Sequence, residues 1–531
     1  MAAGFLAALA SPVAAQSASG ASWHEAAAGG MLDRYRRALE LAGLAPASLR
    51  GAHDPSGPSL AGDSLRAHPW AARMAVAPTA RLALLRPEVR TVYNSAFPYL
   101  DGADGPVWTG KGATLAAHGG VVARWGRVTA VLDPIAFVAQ NASFALTPQA
   151  TPGLPPLTDP VIPWGIDRPQ RFGDGAYARL EPGNSTLRVD LPYVAVGLSS
   201  ANEVWGPAVD FPLILSANAP GIPRLFVGTS GPVNVGIGRV AGRLFVGRLA
   251  QSSYFDAGAD STARLASGIV ATFSPRGVPG LEIGGARFFH RHWEGIPGPA
   301  DLLIPFEGLL KEGLRNKDDP TLSPADNQLG SIFVRWAVRG LEAYGEYARD
   351  DHSYDARDLA VEPDHYAFYV VGLQRVWSRT DGRALTLLRG EVLNGRLTSL
   401  AQVRGEGPIY PHGQVRQGHT HRGQILGADA AFGGGGSAVT LERYHERGRW
   451  SVEWRRALRM QRLLYPAATS ASREGADVLH SLGGSVTLFR GAYEVDAGLA
   501  GVANLNRDFD RDAFGLQLTL GARAALPGSR R

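Results

Sequence analysis

Between residues 82 and 522 the chain repeats one pattern: short runs of alternating apolar and polar residues, separated by turn-rich stretches. Phe514, Leu516, Leu518 and Leu520 alternate with Gly515, Gln517, Thr519 and Gly521. Trp450, Val452 and Trp454 alternate with Ser451, Glu453 and Arg455, and Glu342, Tyr344 and Glu346 oppose Leu341, Ala343 and Gly345. A period of two sends successive side chains to opposite faces of a β-strand. The pattern predicts strands over 120–132, 186–198, 235–249, 263–273, 281–289, 332–339, 341–349, 366–377, 384–393, 438–444, 450–458, 484–490, 493–502 and 514–522.

Such strands suit two environments. In a soluble sandwich the apolar face meets a core. In an outer-membrane barrel it meets lipid, and the polar face lines the lumen. Length favours the barrel: the region has no long helical insertion, a sandwich rarely absorbs so many strands, and a barrel grows by adding hairpins. Runs of about ten residues also match a tilted membrane crossing. Arg389 with Glu391, and Glu453 with Arg455, each share one strand face. They are costly against lipid and tolerated in a wet lumen. No fixed-period repeat points to a propeller or solenoid.

Composition narrows the reading further. The 53 Lys and Arg exceed the 48 Asp and Glu by five, with the two signs mixed along the chain. That balance fits an anionic ligand and carries no basic block of the kind that binds nucleic acid. The absence of cysteine excludes disulfides and a catalytic thiol, and fits an exported bacterial protein. No segment after the N-terminus offers the ~20 uninterrupted apolar residues of a membrane helix, so a membrane-bound form must be a barrel.

The N-terminus reads as a signal peptide over residues 1–15, from the apolar run at 4–10 and the Ala14-Ala15 cleavage region, although a positive n-region is missing. Residues 16–80 read as a small helical element and 81–531 as the barrel. Ser22 and Glu25 form a capping-box pattern. Leu32, Tyr35, Leu39 and Ala42 fall on one helical face, Arg34, Arg37 and Glu40 lie mostly off it, and Gly43 and Pro46 provide the stop. A second short helix is expected at 61–75.

The boundary is the stretch 92–112, which packs Asn94, Phe97, Tyr99, Asp101, Asp104 and Trp108 among glycines. Tyr99 and Trp108 are expected at a lipid interface, against the N-terminal helices or in the lumen. Three later loops are long and chemically mixed. Residues 141–177 carry seven prolines with Trp164 and Arg168. Residues 291–328 carry His292, Trp293 and Arg315, and residues 405–423 carry His412, Arg416, His419, His421 and Arg422. Rings that cover sugar C–H faces, beside guanidinium and amide groups for hydroxyls and carboxylates, suit a saccharide. Equally, such loops can pack on themselves and close the barrel mouth.

Enzymatic readings are weaker. His419 and His421 could share one strand face with His412 nearby, but zinc requires three or four convergent ligands, and the nearest acids, Glu406 and Asp429, are poorly placed for it. Glu342 and Glu346 stand four strand positions apart, roughly 13 Å, beyond the ≈ 5–9.5 Å of glycosidase carboxylate pairs. No Gly-x-Ser-x-Gly elbow is present. Neither a catalytic residue, a metal nor a cofactor is expected.

Five blocks in order resemble the Wzi family of capsule-assembly outer-membrane proteins. They are Tyr93-Asn94-Ser95-Ala96-Phe97-Pro98-Tyr99 with Trp108-x-Gly110-Lys111-Gly112; Val204-Trp205-Gly206-Pro207 with Ser216-Ala217-Asn218-Ala219-Pro220-Gly221; Asp326-Asn327-Gln328; Glu342-x-Tyr344-Gly345-Glu346-Tyr347-x-Arg349-Asp350-Asp351; and Tyr410-Pro411-His412 with Gly418-His419-Thr420-His421-Arg422-Gly423-Gln424. The likeness runs from about residue 80 to the end. It implies an all-β fold, a transmembrane antiparallel barrel of about 18 strands with a small periplasmic helical element, in the cell outer membrane. It also implies a lectin-like role in holding capsular or extracellular polysaccharide. The C-terminus departs from the pattern by lacking the terminal aromatic residue usual for barrel-assembly machinery.

The expectation is therefore a non-enzymatic barrel that binds or organises polysaccharide. Its partners are the polymer, outer-membrane lipid and, during biogenesis, the assembly machinery. Its contacts are Trp164, Arg168, His292, Trp293, Arg315, His412, Arg416, His419, His421 and Arg422. Glu342, Glu346, Arg349, Glu453 and Arg455 form a structural network in the lumen. A porin or saccharide channel, and a structural barrel within a larger envelope assembly, are the alternatives.

Overall fold

The computed structural model describes residues 29–52, 70, 82–100, 102, 104–255, 262–293, 295–306, 326–351, 353, 355–379, 383–465, 474–491 and 493–524. The expected signal peptide, the Ser22–Glu25 capping box, nearly all of the 61–75 helix, and Arg315 lie outside these residues.

All but two of the β-segments join one sheet of 23, antiparallel throughout. Several successive segments are collinear halves of one run, such as Gly112–His118 with Val121–Trp125 and Val128–Leu132 with Ile135–Ala139. From Gly238–Ala250 onward each sheet strand pairs with the next. The last, Arg511–Ala524, pairs with Glu88–Asn94 at the start, with Glu88 opposite Arg523. Among the described residues no helix is long and apolar enough to cross a membrane, which leaves crossing to strands.

Two expected strands are hairpins. Residues 120–132 split into Val121–Trp125 and Val128–Leu132 around Gly126 at φ +56°. Residues 186–198 split into Thr186–Asp190 and Val194–Ser199. Both turns sit within apolar sequence, so hydropathy runs straight across them.

The two faces of the sheet are inverted relative to a soluble protein. Along Asp326–Val338, Ile332, Val334 and Trp336 are 67, 46 and 54% exposed, whereas Phe333 and Arg335 are each 3% exposed. Phe514, Leu516, Leu518 and Leu520 are likewise exposed, and Arg389, Glu391 and Glu442 are buried. An apolar exterior around a charged interior is stable only where the exterior solvent is lipid. The protein is an outer-membrane β-barrel.

Short turns join the strands at one end, as at His445–Gly448 and Val338–Leu341, and long connections join them at the other. Helix α1 (Met31–Ala42) sits at the short-turn end. It ends at Gly43, whose φ of +72° returns the cap N–H groups to the Leu39 and Glu40 carbonyls, the left-handed stop that glycine permits. Leu32, Tyr35, Leu39 and Ala42 are buried, as their spacing predicts. Arg37 and Glu40, expected to lie off the packed face, are buried too. The reason is that α1 enters a mouth whose wall is itself charged, so its polar side finds partners there. Trp70 closes the packing, with its ring 5.2 Å from Tyr35 and 5.2 Å from Tyr444.

Two long connections turn inward. Trp205, Phe211, Leu213 and Ile214 from residues 200–223 pack with Ile409, Tyr410, Ile425, Leu426 and Phe432 from residues 395–434. Both sets rest on wall residues including Phe226, Phe245, Phe288, Phe333 and Phe368. Tyr99 and Trp108 also face inward: Tyr99 shares a hydrogen bond with Ser481 at 2.7 Å, and Trp108 packs on Phe172 at 4.9 Å.

Candidate functional site

The wall's inward charges hold the inward loops. Glu391 accepts the backbone N–H groups of Val209, Asp210 and Phe211 at 2.9, 3.0 and 2.6 Å, and the Tyr344 hydroxyl. Arg389 grips Asp210 through Nε at 2.8 Å and NH2 at 3.1 Å, with Arg455 a further 3.7 Å away. Burial pushes the Asp210 carboxyl up, but Arg389, together with Arg455 and Arg34, holds the group below its ordinary range. Arg455 lies 5.2 Å over the Phe211 ring and 3.3 Å from Glu453.

Glu342 receives Arg37, Arg335 and Gln374. Glu346 is buried against Gly206, where an added Cβ would stand 2.1 Å from Oε2 and displace the carboxylate; the φ of +82° is the conformation that favours glycine there. Both Glu346 carboxylate oxygens are buried without a hydrogen-bond partner among the described residues, so Glu346 does not join this network of ion pairs, and Arg349 does not join it either. It sits on the opposite strand face from Glu342 and Glu346, and donates to the Pro363 carbonyl at 3.3 Å. Strict alternation from Glu346 puts it there.

The expected ligand residues divide into three groups. The first gathers on the long-connection face, where two loop segments run side by side: His412 N–H meets the Gly165 carbonyl at 2.9 Å, and Asp167 N–H meets the Gln417 carbonyl at 2.9 Å. Trp164, 52% exposed, stands at this seam, and Arg416 is exposed on the second segment. Arg168 lies 4.0 Å over the Phe432 ring and 2.8 Å from Asp159. His412 Nδ1 accepts the Val415 N–H at 2.9 Å, which fixes the ring.

The second group is inside. His419 is fully buried, donates from Nε2 to the Ile214 carbonyl at 2.7 Å and stacks on Tyr410 at 5.4 Å. Burial lowers its pKa to about 4, with Arg264 adding to the effect. His421 is buried and accepts the Ala250 N–H at Nδ1. Arg422 pairs with Glu181 at 2.6 Å. His421 and Arg422 fasten the loop to the wall, and His419 fastens it to the other inward loop, instead of facing outward. In the third group, Trp293 packs with Val246, Leu265, Phe289 and Ile304 on the outer wall, and His292 ends the strand Leu281–His292.

Asp210, Tyr344 and Arg37 are central here and were given no part in the network from sequence. Asp210 had a signal, being a lone acid within Pro207-Ala208-Val209-Asp210-Phe211. Among the described residues no three His, Cys, Asp or Glu side chains converge to hold a metal ion.

No family model matches the chain, and no curated relative matches it by sequence. In structure it is similar to Wzi of Escherichia coli, an outer-membrane protein involved in group 1 capsule assembly and a carbohydrate-binding β-barrel. The identity is 14% and the TM-score 0.53, over 83% of this chain and 85% of that one. Similarities to OccAB4 of Acinetobacter baumannii and a BenF-like porin of Pseudomonas fluorescens have TM-scores of 0.40, at 9 and 10% identity. They cover 84% of this chain and 98 and 99% of theirs.

Proposed function

We propose that this chain is a Wzi-like barrel of eighteen crossings, counted by joining the five collinear pairs among the 23 segments. In this reading the short-turn end with α1 faces the periplasm, and the long-connection face binds or organises an exported polysaccharide at the cell surface. The role is non-enzymatic.

The observation that carries the reading is the seam between residues 162–168 and 410–418. It presents Trp164 and Arg416 to solvent on a base fixed by backbone hydrogen bonds and by the packed loops beneath. A ring and a guanidinium held in place suit one unit of a polymer. A repeating chain engaging several barrels would then gain strength from multivalency. The loops packed through the lumen favour surface binding over a porin or saccharide channel.

Two measurements test this. Trp164→Ala combined with Arg416→Ala is expected to lower retention of surface polysaccharide at least tenfold; unchanged retention would leave a structural envelope role. The wild-type barrel in planar bilayers is expected to stay silent, and clear single-channel steps would establish the channel instead.

A further inference from the structure

A second site lies at the other end of the interior. Four adjacent runs of the wall break at one level: at 85–87, at Gly119 and Gly120, at Asp133 and Pro134, and at 182–185. Two glycines make this crease possible. A Cβ on Gly120 would stand 1.7 Å from the Leu132 carbonyl oxygen, and one on Gly183, at φ +59°, would stand 2.1 Å from that of Asp133. Against the crease is a cavity of about 250 Å³, bounded by the first residues of α1 and by the inward segment 104–107.

The charges around it are matched. Arg90 pairs with Asp104 at 2.7 Å, Arg523 with Glu88, and Arg86 with Glu494. His118 stands between Glu88 at 3.1 Å and Asp133 at 3.5 Å. A phosphate or sulfonate would have to displace a carboxylate from each of these cations, and a metal ion would meet the guanidinium groups. Hydrogen-bonding capacity nonetheless remains: Thr114, Asn184 and Asn202 line the cavity, and no side chain caps α1 at Gly30, which lines it too. Val92, Ala116 and Ile135 supply an apolar wall. The side chains of Arg90 and His118 keep 32 and 31% exposure, so solvent reaches the site.

We infer that this cavity is a binding site for a single neutral, polyhydroxylated ligand, a pyranose or short polyol, on the α1 side of the barrel and separate from the long-connection face. At ≈ 30 Å³ per water it holds about eight waters, the room one sugar ring requires. Mixed donors and acceptors meet its hydroxyls, and the apolar wall meets its C–H face.

The test uses the full-length protein in an amine-oxide detergent, which carries no sugar headgroup. In a Trp164→Ala background, which removes the ring of the long-connection face, saturation-transfer NMR with methyl α-glucopyranoside is expected to show transfer that falls at least tenfold on adding Ala116→Phe, which fills the cavity. The methyl glucuronide and methyl phosphate are expected to give at least threefold less. No transfer in that background, equal transfer after adding Ala116→Phe, or preference for either anion would overturn the assignment. Should Ala116→Phe fail to fold, wild-type crystals soaked in a selenomethyl glycoside decide it. A selenium anomalous peak beside His118 and Asp133 supports the site, and peaks elsewhere alone refute it.

Discussion

Arg37 of α1 grips Glu342 of the wall, with NH2 2.8 Å from Oε1 and Nε 2.9 Å from Oε2, while the same NH2 reaches the Pro207 carbonyl at 2.8 Å. One guanidinium therefore ties the helix, the wall and the inward loop together. Both side chains are buried, and removing one partner from a buried pair costs about 3–5 kcal/mol. Arg37→Met is expected to loosen α1 without unfolding the barrel. Trypsin should then cleave after Arg34 and Arg36 at least tenfold faster, while the strands keep their heat-modifiable mobility on gels. Unchanged cleavage would mean the pair does not hold the helix.

Glu391→Ala removes the acceptor shared by three backbone N–H groups and the Tyr344 hydroxyl. Each buried donor left unpaired costs about 1–3 kcal/mol. The 208–211 segment should detach from the wall, and single-channel steps should appear in planar bilayers where wild type is expected to be silent. A variant that stays silent, with unaltered hydrogen exchange at 209–211, would contradict this anchoring role.

His419 makes stability depend on pH in a defined window. Burial lowers its pKa in the folded chain to about 4, against 6.5 when unfolded. Between those values the unfolded chain binds a proton that the folded chain refuses. This contribution is thus fully present above pH 6.5 and is lost as pH falls toward 4, by about 3 kcal/mol at 1.36 kcal/mol per pKa unit. His419→Gln should flatten that part of the curve. Denaturation midpoints at pH 7 and 4.5 check it, the signal being the difference between wild type and variant.

Leu518 and Thr519 are neighbours on opposite faces of Arg511–Ala524. Leu518→Arg places a charge against lipid and is expected to destabilise the barrel by about 2–4 kcal/mol near the bilayer midplane. Thr519→Arg faces inward and should cost less. Urea unfolding in lipid vesicles measures both, and equal losses would contradict the assignment of faces.

The crossings from Gly238 onward were legible in sequence because each strand's pattern is local, whereas the shorter strands Glu88–Asn94, Gly112–His118, Ile135–Ala139, Tyr177–Glu181 and Arg224–Thr229 were not among those expected. Alternation names the lipid face of Phe514–Leu520, and Gly43 marks the end of α1, without knowledge of any distant residue. The same locality explains the errors: Gly126 turns the chain within an apolar run, and Arg37 is polar yet buried because its partner lies 305 residues away. The ligand positions expected in the 141–177 and 405–423 loops had no period to orient them. Trp164 and Arg416 face out, whereas His419 and His421 face in. Sequence by itself determined a large strand-built barrel with charges inside. Tertiary structure decided that two long connections fold back into it, because their burial depends on pairings such as Asp210 with Arg389, 179 positions apart, that no local pattern encodes.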